Sequence, residues 1–190
     1  ALVVCFISFI LAMYGGWHAP ADLSQGEVFR YIYVHVPAAL ASLALFAVVG
    51  VSSLLYWVFH LKVAHWISGE AAKIGSVFTI VALITGSIWG HYTWGSWWVW
   101  DARLTSELIL LVIYLAYLLL YHASDKGLVS KRVVAIVAMI GLADLPLIHY
   151  SVVWWNSLHQ RSTLLNLQNE TMPWVMLWPL LLAIVFAASL

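Results

Sequence analysis

Charge is what this sequence has least of. Only 8% of its 190 residues are Asp, Glu, Lys or Arg, while 64% are hydrophobic; an ordinary soluble domain carries about 25% charged residues. A chain this poor in charge keeps its bulk in lipid. Its acids and bases also cancel to a formal net charge of zero, which argues against a nucleic-acid surface and against long-range steering of a charged partner. Cysteine is almost absent: Cys5 stands alone inside an apolar run. An internal disulfide, a Cys-based metal site and a CxxC redox motif are therefore excluded, and Cys5 reads as packing or lipid-facing filler.

What the chain has instead is apolar runs. Six approach the length of about 20 residues that crosses a bilayer core: roughly Ala1–Trp17, Ala38–Phe59, Ile74–Gly90, Leu104–His122, Val133–Tyr150 and Trp174–Leu190. Lipid offers no partner to an exposed backbone N–H or C=O, so each run is expected to be helical. The first could serve as a secretory signal with Ala19-Pro20-Ala21 at its cleavage site, but it is long for a signal core, and a retained helix is expected. The predicted fold is an all-α integral membrane protein, one domain over residues 1–190 with six transmembrane helices. Its outer loops are expected at about 18–37, 91–103 and 151–173.

The loops assign the sides. All four lysines, Lys62, Lys73, Lys126 and Lys131, and also Arg132, fall in the second and fourth loops, His60–Lys73 and Ala123–Arg132. Short loops rich in Lys and Arg stay cytoplasmic, so both termini are expected in the cytoplasm and the odd-numbered loops outside. In a bacterium that means a multi-pass protein of the inner membrane with its odd loops in the periplasm. Tryptophan sorts the same way: of twelve, only Trp57 and Trp66 lie towards the cytoplasmic side. An aromatic belt would dress both interfaces. So one-sided a distribution points to a shelf for a large flat ligand or to a docking surface.

The third loop reads Trp94-Gly-Ser-Trp-Trp-Val-Trp-Asp-Ala-Arg-Leu-Thr105, with Trp94, Trp97, Trp98 and Trp100 followed by Asp101 and Arg103. An interfacial segment in which Asp101 caps the next helix and pairs with Arg103 would account for the acid. It would not account for four indoles. The first loop ends Arg30-Tyr-Ile-Tyr-Val-His35-Val-Pro37. Proline suits a first helical turn, which sets His35 at a helix mouth, where the dipole favours the neutral, ligand-competent imidazole; an interfacial hydrogen bond is the plainer use of that histidine. The fifth loop carries Trp154-Trp155-Asn-Ser-Leu-His159-Gln-Arg161, which puts His159 on the same side.

Two imidazoles from separate loops, indoles around them and arginines alongside form a set that suits a haem. The iron needs axial nitrogens, the macrocycle apolar cover and the propionates cations. Zinc fits less well, since there is no cysteine and few carboxylates to complete a tetrahedral set. His18 and His91 are outer-loop reserves, and His149 ends the fifth run beside Tyr150. His60, His65 and His122 belong to the cytoplasmic side. Asp144 is an acid inside a span, where a functional role is the default suspicion, although its proximity to Pro146 offers a structural use. Ala82, Gly86 and Gly90 recur every fourth residue and read as a helix-packing face.

These residues carry a resemblance. The stretch WGSWWVWDARLT resembles the tryptophan-rich WWD signature of the haem-handling membrane proteins of cytochrome c maturation. With the Tyr-Val-His35-Val-Pro37 step and the Trp154-Trp155-Asn156…His159 segment, the whole chain is similar, in order, to the haem exporter protein C family. The resemblance implies that His35 and His159 ligate haem b as a bis-histidine pair. It implies that Trp94, Trp97, Trp98, Trp100 and Asp101 hold the exposed porphyrin, and Arg30 and Arg103 then stand where propionates would need them. It further implies transfer of haem to a membrane-tethered haem chaperone, beside the subunits of an ATP-binding cassette transporter and a small single-span subunit. The expected protein binds and transfers haem in membrane lipid and is not an enzyme. Two rival readings are a bis-histidine b-type cytochrome exchanging electrons with quinone, and a permease passing haem or another solute through itself. The first normally buries its histidine pairs within the bundle; the second should break its helices with polar residues at mid-membrane, where only Asp144 and Pro146 do so.

Overall fold

The computed structural model describes residues 2–155, 159 and 172–189. These form α1 (Leu2–His18), a 3-10 helix (Glu27–Tyr31) that runs into α2 (Ile32–Phe59), α3 (Lys62–Trp94), α4 (Ala102–Asp125), α5 (Lys131–Trp154) and α6 (Trp174–Ser189). No strand occurs among the described residues. Four stretches, Glu27–Phe59, Lys62–Trp94, Ala102–Asp125 and Lys131–Trp154, are long and apolar enough to cross a membrane. The helices α1 and α6, with 17 and 16 residues, are shorter and equally apolar.

Two helices reach beyond their apolar runs. The helix α2 begins at Ile32 rather than near Ala38, so Pro37 sits inside it and His35 lies in its first turns. The stretch 60–73, expected as a loop, is almost all helix: only His60 and Leu61 separate α2 from α3. Its polar residues have helical partners. Lys73 pairs with Glu70 at 2.7 Å, the Ser68 hydroxyl donates to the carbonyl of His65 at 2.7 Å, and buried His65 donates from Nε2 to Asp125 at 3.0 Å. Hydropathy marks where lipid ends, not where a helix ends.

The ends are set by local chemistry. Asp101 accepts from the amide of Leu104 (2.8 Å) and so caps α4, as the sequence predicts. At the other end, Leu128 N–H donates to the carbonyl of Ala123 and Gly127 N–H to that of Ser124, both at 3.0 Å, with Gly127 at a φ of 73°. This is a Schellman closure, which calls for glycine. Gly95, at a φ of 74°, closes α3 in the same left-handed region, its amide donating to the carbonyl of His91.

The chain divides into two compact units. The first comprises Ala1–Ala41, Val81–Val99 and Leu158–Leu190. Within it α1 packs along α6, with Phe9 and Phe186 at 5.0 Å and Gly15 leaving room for Trp178. Ala19, Ile32, Tyr33 and Leu180 form its buried apolar cluster, and the Tyr33 hydroxyl donates to the carbonyl of Met176 at 3.1 Å. The second unit, Ser42–Ile80 and Trp100–Ser157, has α4 against α5 and a core that includes Phe46, Leu110, Tyr114, Tyr117 and Ile148. Phe46 meets Tyr114 edge to face at 4.6 Å and fills the space left by Gly141. Two polar groups buried in this core are bonded to one chain of partners: Tyr114 donates to the carbonyl of Ser42 (2.7 Å), whose own hydroxyl donates to Glu107 (2.8 Å).

Candidate functional site

The first unit holds both candidate histidines. His35 is half-buried and its ring lies on Gly86 of α3. Nδ1 is 3.0 Å from the carbonyl oxygen of Ala82 and 3.2 Å from the hydroxyl oxygen of Thr85. The carbonyl can only accept, and Thr85 directs its own proton to the carbonyl of Val81 at 2.7 Å. Nδ1 must therefore carry a ring proton and donate. A ligating imidazole is ordinarily oriented in this way by an acceptor on its far nitrogen. Trp89 stands edge-on to the ring, centroids 5.8 Å apart, and is itself held by a 2.7 Å hydrogen bond from its indole N–H to Gln25.

Gln25 is positioned by the first loop. Asp22 accepts from the hydroxyl and amide of Ser24 and from the amide of Gln25, at 2.6, 2.9 and 2.8 Å. These donors, the Ser24 hydroxyl first, hold the Asp22 carboxyl below its ordinary range. Gly26, at a φ of 61°, closes the turn back onto Asp22. Arg30 follows on the 3-10 helix, paired with Glu27 at 2.5 Å, donating to the carbonyl of Ala19 at 2.9 Å and lying over the Trp17 ring. Its Nε is buried and has no partner among the described residues.

One turn beyond Gly86, Gly90 gives room to Trp94: a Cβ there would stand 3.1 Å from the indole. The His159 ring lies 5.0 Å from that of Trp94 at 66°. The stripe Ala82, Gly86 and Gly90 was expected as a helix-packing face; here it seats His35 and Trp94. Trp97 stacks flat on His91, centroids 4.1 Å apart and planes within 7°, and remains 57% exposed. The Ser96 hydroxyl donates to the carbonyl of Trp98 at 2.8 Å. His91 thus lies in the last turn of α3 as a prop for an indole, and the Nδ1 of His18 donates within α1 to the carbonyl of Tyr14.

The rest of the motif belongs to the second unit. Trp100 is 76% exposed and Asp101 caps α4. Arg103 donates from Nη1 to the carbonyl of Ile148 at 3.2 Å, tying α4 to α5, and its charge acts on Glu107 and Asp101. Asp144 is buried, with Oδ2 unbonded among the described residues. Asn156, Arg161 and Glu170 of the fifth loop lie outside the described residues. Among the described residues there is no cluster of three His, Cys, Asp or Glu fit for a metal ion.

Sequence reasoning singled out both histidines and the indoles but missed Thr85, Trp89 and Gln25. The four-residue stripe was the one available signal for the α3 surface, and it does not tell which side chain occupies it.

The family model for heme exporter protein C matches residues 1–190. The chain belongs to the heme exporter protein C family. It is similar to heme exporter protein C of Escherichia coli strain K12, with 47% identity over 162 residues, covering 83% of this chain and 66% of the relative. A ccmC-like mitochondrial protein of cytochrome c biosynthesis from Marchantia polymorpha is 45% identical over 161 residues, 84% of this chain and 68% of its own length. Heme exporter protein C of Bradyrhizobium diazoefficiens is 38% identical over 177 residues, 93% of this chain and 67% of that protein. The chain thus spans about two thirds of the length of the relatives it matches.

Proposed function

We propose that the chain receives haem b at the outer end of α3 and presents it for cytochrome c biogenesis, as the names of its relatives imply for them, acting as a binding and transfer protein rather than an enzyme. His35 and His159 supply the two axial nitrogens, and Trp94, Trp97, Trp98 and Trp100 support the macrocycle. Asp101 orients the loop, and Arg30 and Arg103 face the propionates. The observation that carries this reading is the setting of His35, with Nδ1 at 3.0 Å from the carbonyl oxygen of Ala82 and 3.2 Å from the hydroxyl oxygen of Thr85. A ligating imidazole is ordinarily oriented by an acceptor on its far nitrogen, and these two oxygens offer Nδ1 of His35 such acceptors. The buried Nε of Arg30, without a partner among the described residues, and the exposure of Trp97 and Trp100 support it further.

The haem faces the periplasm of a bacterial inner membrane, with both termini cytoplasmic and six crossings. At 1.5 Å per residue α1 and α6 span about 25 Å, close to the ~30 Å of a hydrocarbon core. The recipient is a membrane-tethered haem chaperone. An ATP-binding cassette transporter and a small single-span subunit work alongside.

Absorption spectroscopy of the purified, haem-loaded protein tests the ligand pair. Either His→Gly change should open one axial position and shift the Soret band, because the indoles still hold the macrocycle. Added imidazole should then restore the six-coordinate spectrum. The double change should lose most of the haem. An unaltered spectrum in a single variant excludes that histidine, and His91 and His18 would be examined next.

A further inference from the structure

At the junction of α2 and α5 in the second unit a cavity of about 140 Å³ is lined by Tyr56, Trp57, His60, Ser130, Lys131 and Arg132. That is well above the ~10–15 Å³ one water needs by this measure, and no acidic side chain lines it. Asp125, engaged by His65 at 3.0 Å, stands 3.9 Å from Lys131. Lys131 is held in place over the Tyr56 ring at 5.2 Å. Arg132 has no ion-pair partner among the described residues. The cavity therefore gathers two cationic side chains, of which Lys131 has an acid within ion-pair distance and Arg132 has none among the described residues.

His60 adds an independent observation. It closes α2 with its amide donating to the carbonyl of Tyr56 at 2.8 Å and with a φ of 55°. The caps of this hand on α3 and α4 are glycines, Gly95 and Gly127. A side chain there costs backbone strain, and strain of this kind is retained where the side chain has a use. Next in sequence to the lining residues, Val58, Phe59, Leu61 and Val133 are exposed and apolar. A small soluble anion would have no use for these side chains, whereas acyl chains would cover them.

We propose that this cavity is a binding site for the phosphodiester headgroup of an anionic phospholipid. Lys131, Arg132 and His60 hold the phosphate, Ser130 offers a hydroxyl, and Trp57 lies at the headgroup level where indoles anchor. The site is separate from the haem-handling residues, and its occupancy does not depend on them.

Thermal unfolding of the purified full chain in detergent, titrated with phosphatidylglycerol, phosphatidylcholine or inorganic phosphate, tests the assignment. Phosphatidylglycerol should raise the midpoint and phosphatidylcholine should not. Arg132→Gln should weaken the phosphatidylglycerol response about fivefold, and Lys131→Gln with Arg132→Gln about twenty-five-fold, the usual factor per basic residue at an anionic surface. His60→Gly should leave the lipid-free protein as stable or more so while weakening lipid binding, which a merely structural histidine would not do. Equal responses to the two lipids, unchanged affinity in these variants, or an equal shift with inorganic phosphate alone would each overturn the lipid assignment.

Discussion

The imidazole of His35 rests on Gly86 so closely that a Cβ built at the glycine would meet Cε1 at 2.8 Å and Nδ1 at 3.3 Å. Alanine within a helix is ordinarily worth about 0.5–1 kcal/mol over glycine. Gly86→Ala should invert that rule, because the ring must leave the acceptors Ala82 and Thr85. We expect a lower melting temperature and an altered haem spectrum. A gain in stability with an unchanged spectrum would show that His35 is not held where its ligand role requires.

Arg30 and Arg103 should separate. Arg30 has a buried Nε without a partner among the described residues, and loss of a charge-assisted contact of about 1.5–3 kcal/mol makes Arg30→Gln retain haem ten- to a hundredfold less well. Arg103 also serves the packing of α4 on α5 through the carbonyl of Ile148. Arg103→Gln removes this bond and the guanidinium that acts on buried Glu107, so its melting temperature should fall alongside haem retention. A normal haem spectrum with reduced stability would confine Arg103 to packing. Unchanged haem content and stability would remove either arginine from the site.

Asp101 has two uses that different substitutions distinguish. As the cap of α4, accepting from Leu104 at 2.8 Å, it should cost about 0.5–2 kcal/mol on replacement by alanine and little by asparagine, which caps as well. If Asp101 also serves haem through its charge, Asp101→Asn should lose haem at full stability. Haem retention equal to that of the unaltered chain would leave the residue as a cap alone.

Sidedness can be read with an impermeant thiol reagent. In a Cys5→Ser background, cysteine at Leu23 should label from outside intact spheroplasts and cysteine at Leu128 should not; both leucines are exposed, at 106% and 76%. The lysines confined to the stretches 60–73 and 123–132 set this expectation. Identical labelling at the two positions would sink the arrangement with six crossings and cytoplasmic termini.

The residue order by itself determined the all-helical fold and the cap at Asp101, and it singled out His35, His159 and the indoles as candidates. Each follows from composition, from chemistry acting over three or four residues, or from a compact motif. Hydropathy could not see the first turns of α3, because Glu70–Lys73 pairing and the burial of His65 against Asp125 stabilise a helix without apolar periodicity. The proton on His35 was equally invisible: its acceptors lie 47 and 50 residues away, and a tautomer is fixed only by what stands opposite each nitrogen in space. The same holds for the stripe Ala82, Gly86 and Gly90. Its spacing announces a close approach, and Trp94 meets Gly90 one turn on within the same helix, but only tertiary packing decides that His35 of α2 comes to rest on Gly86.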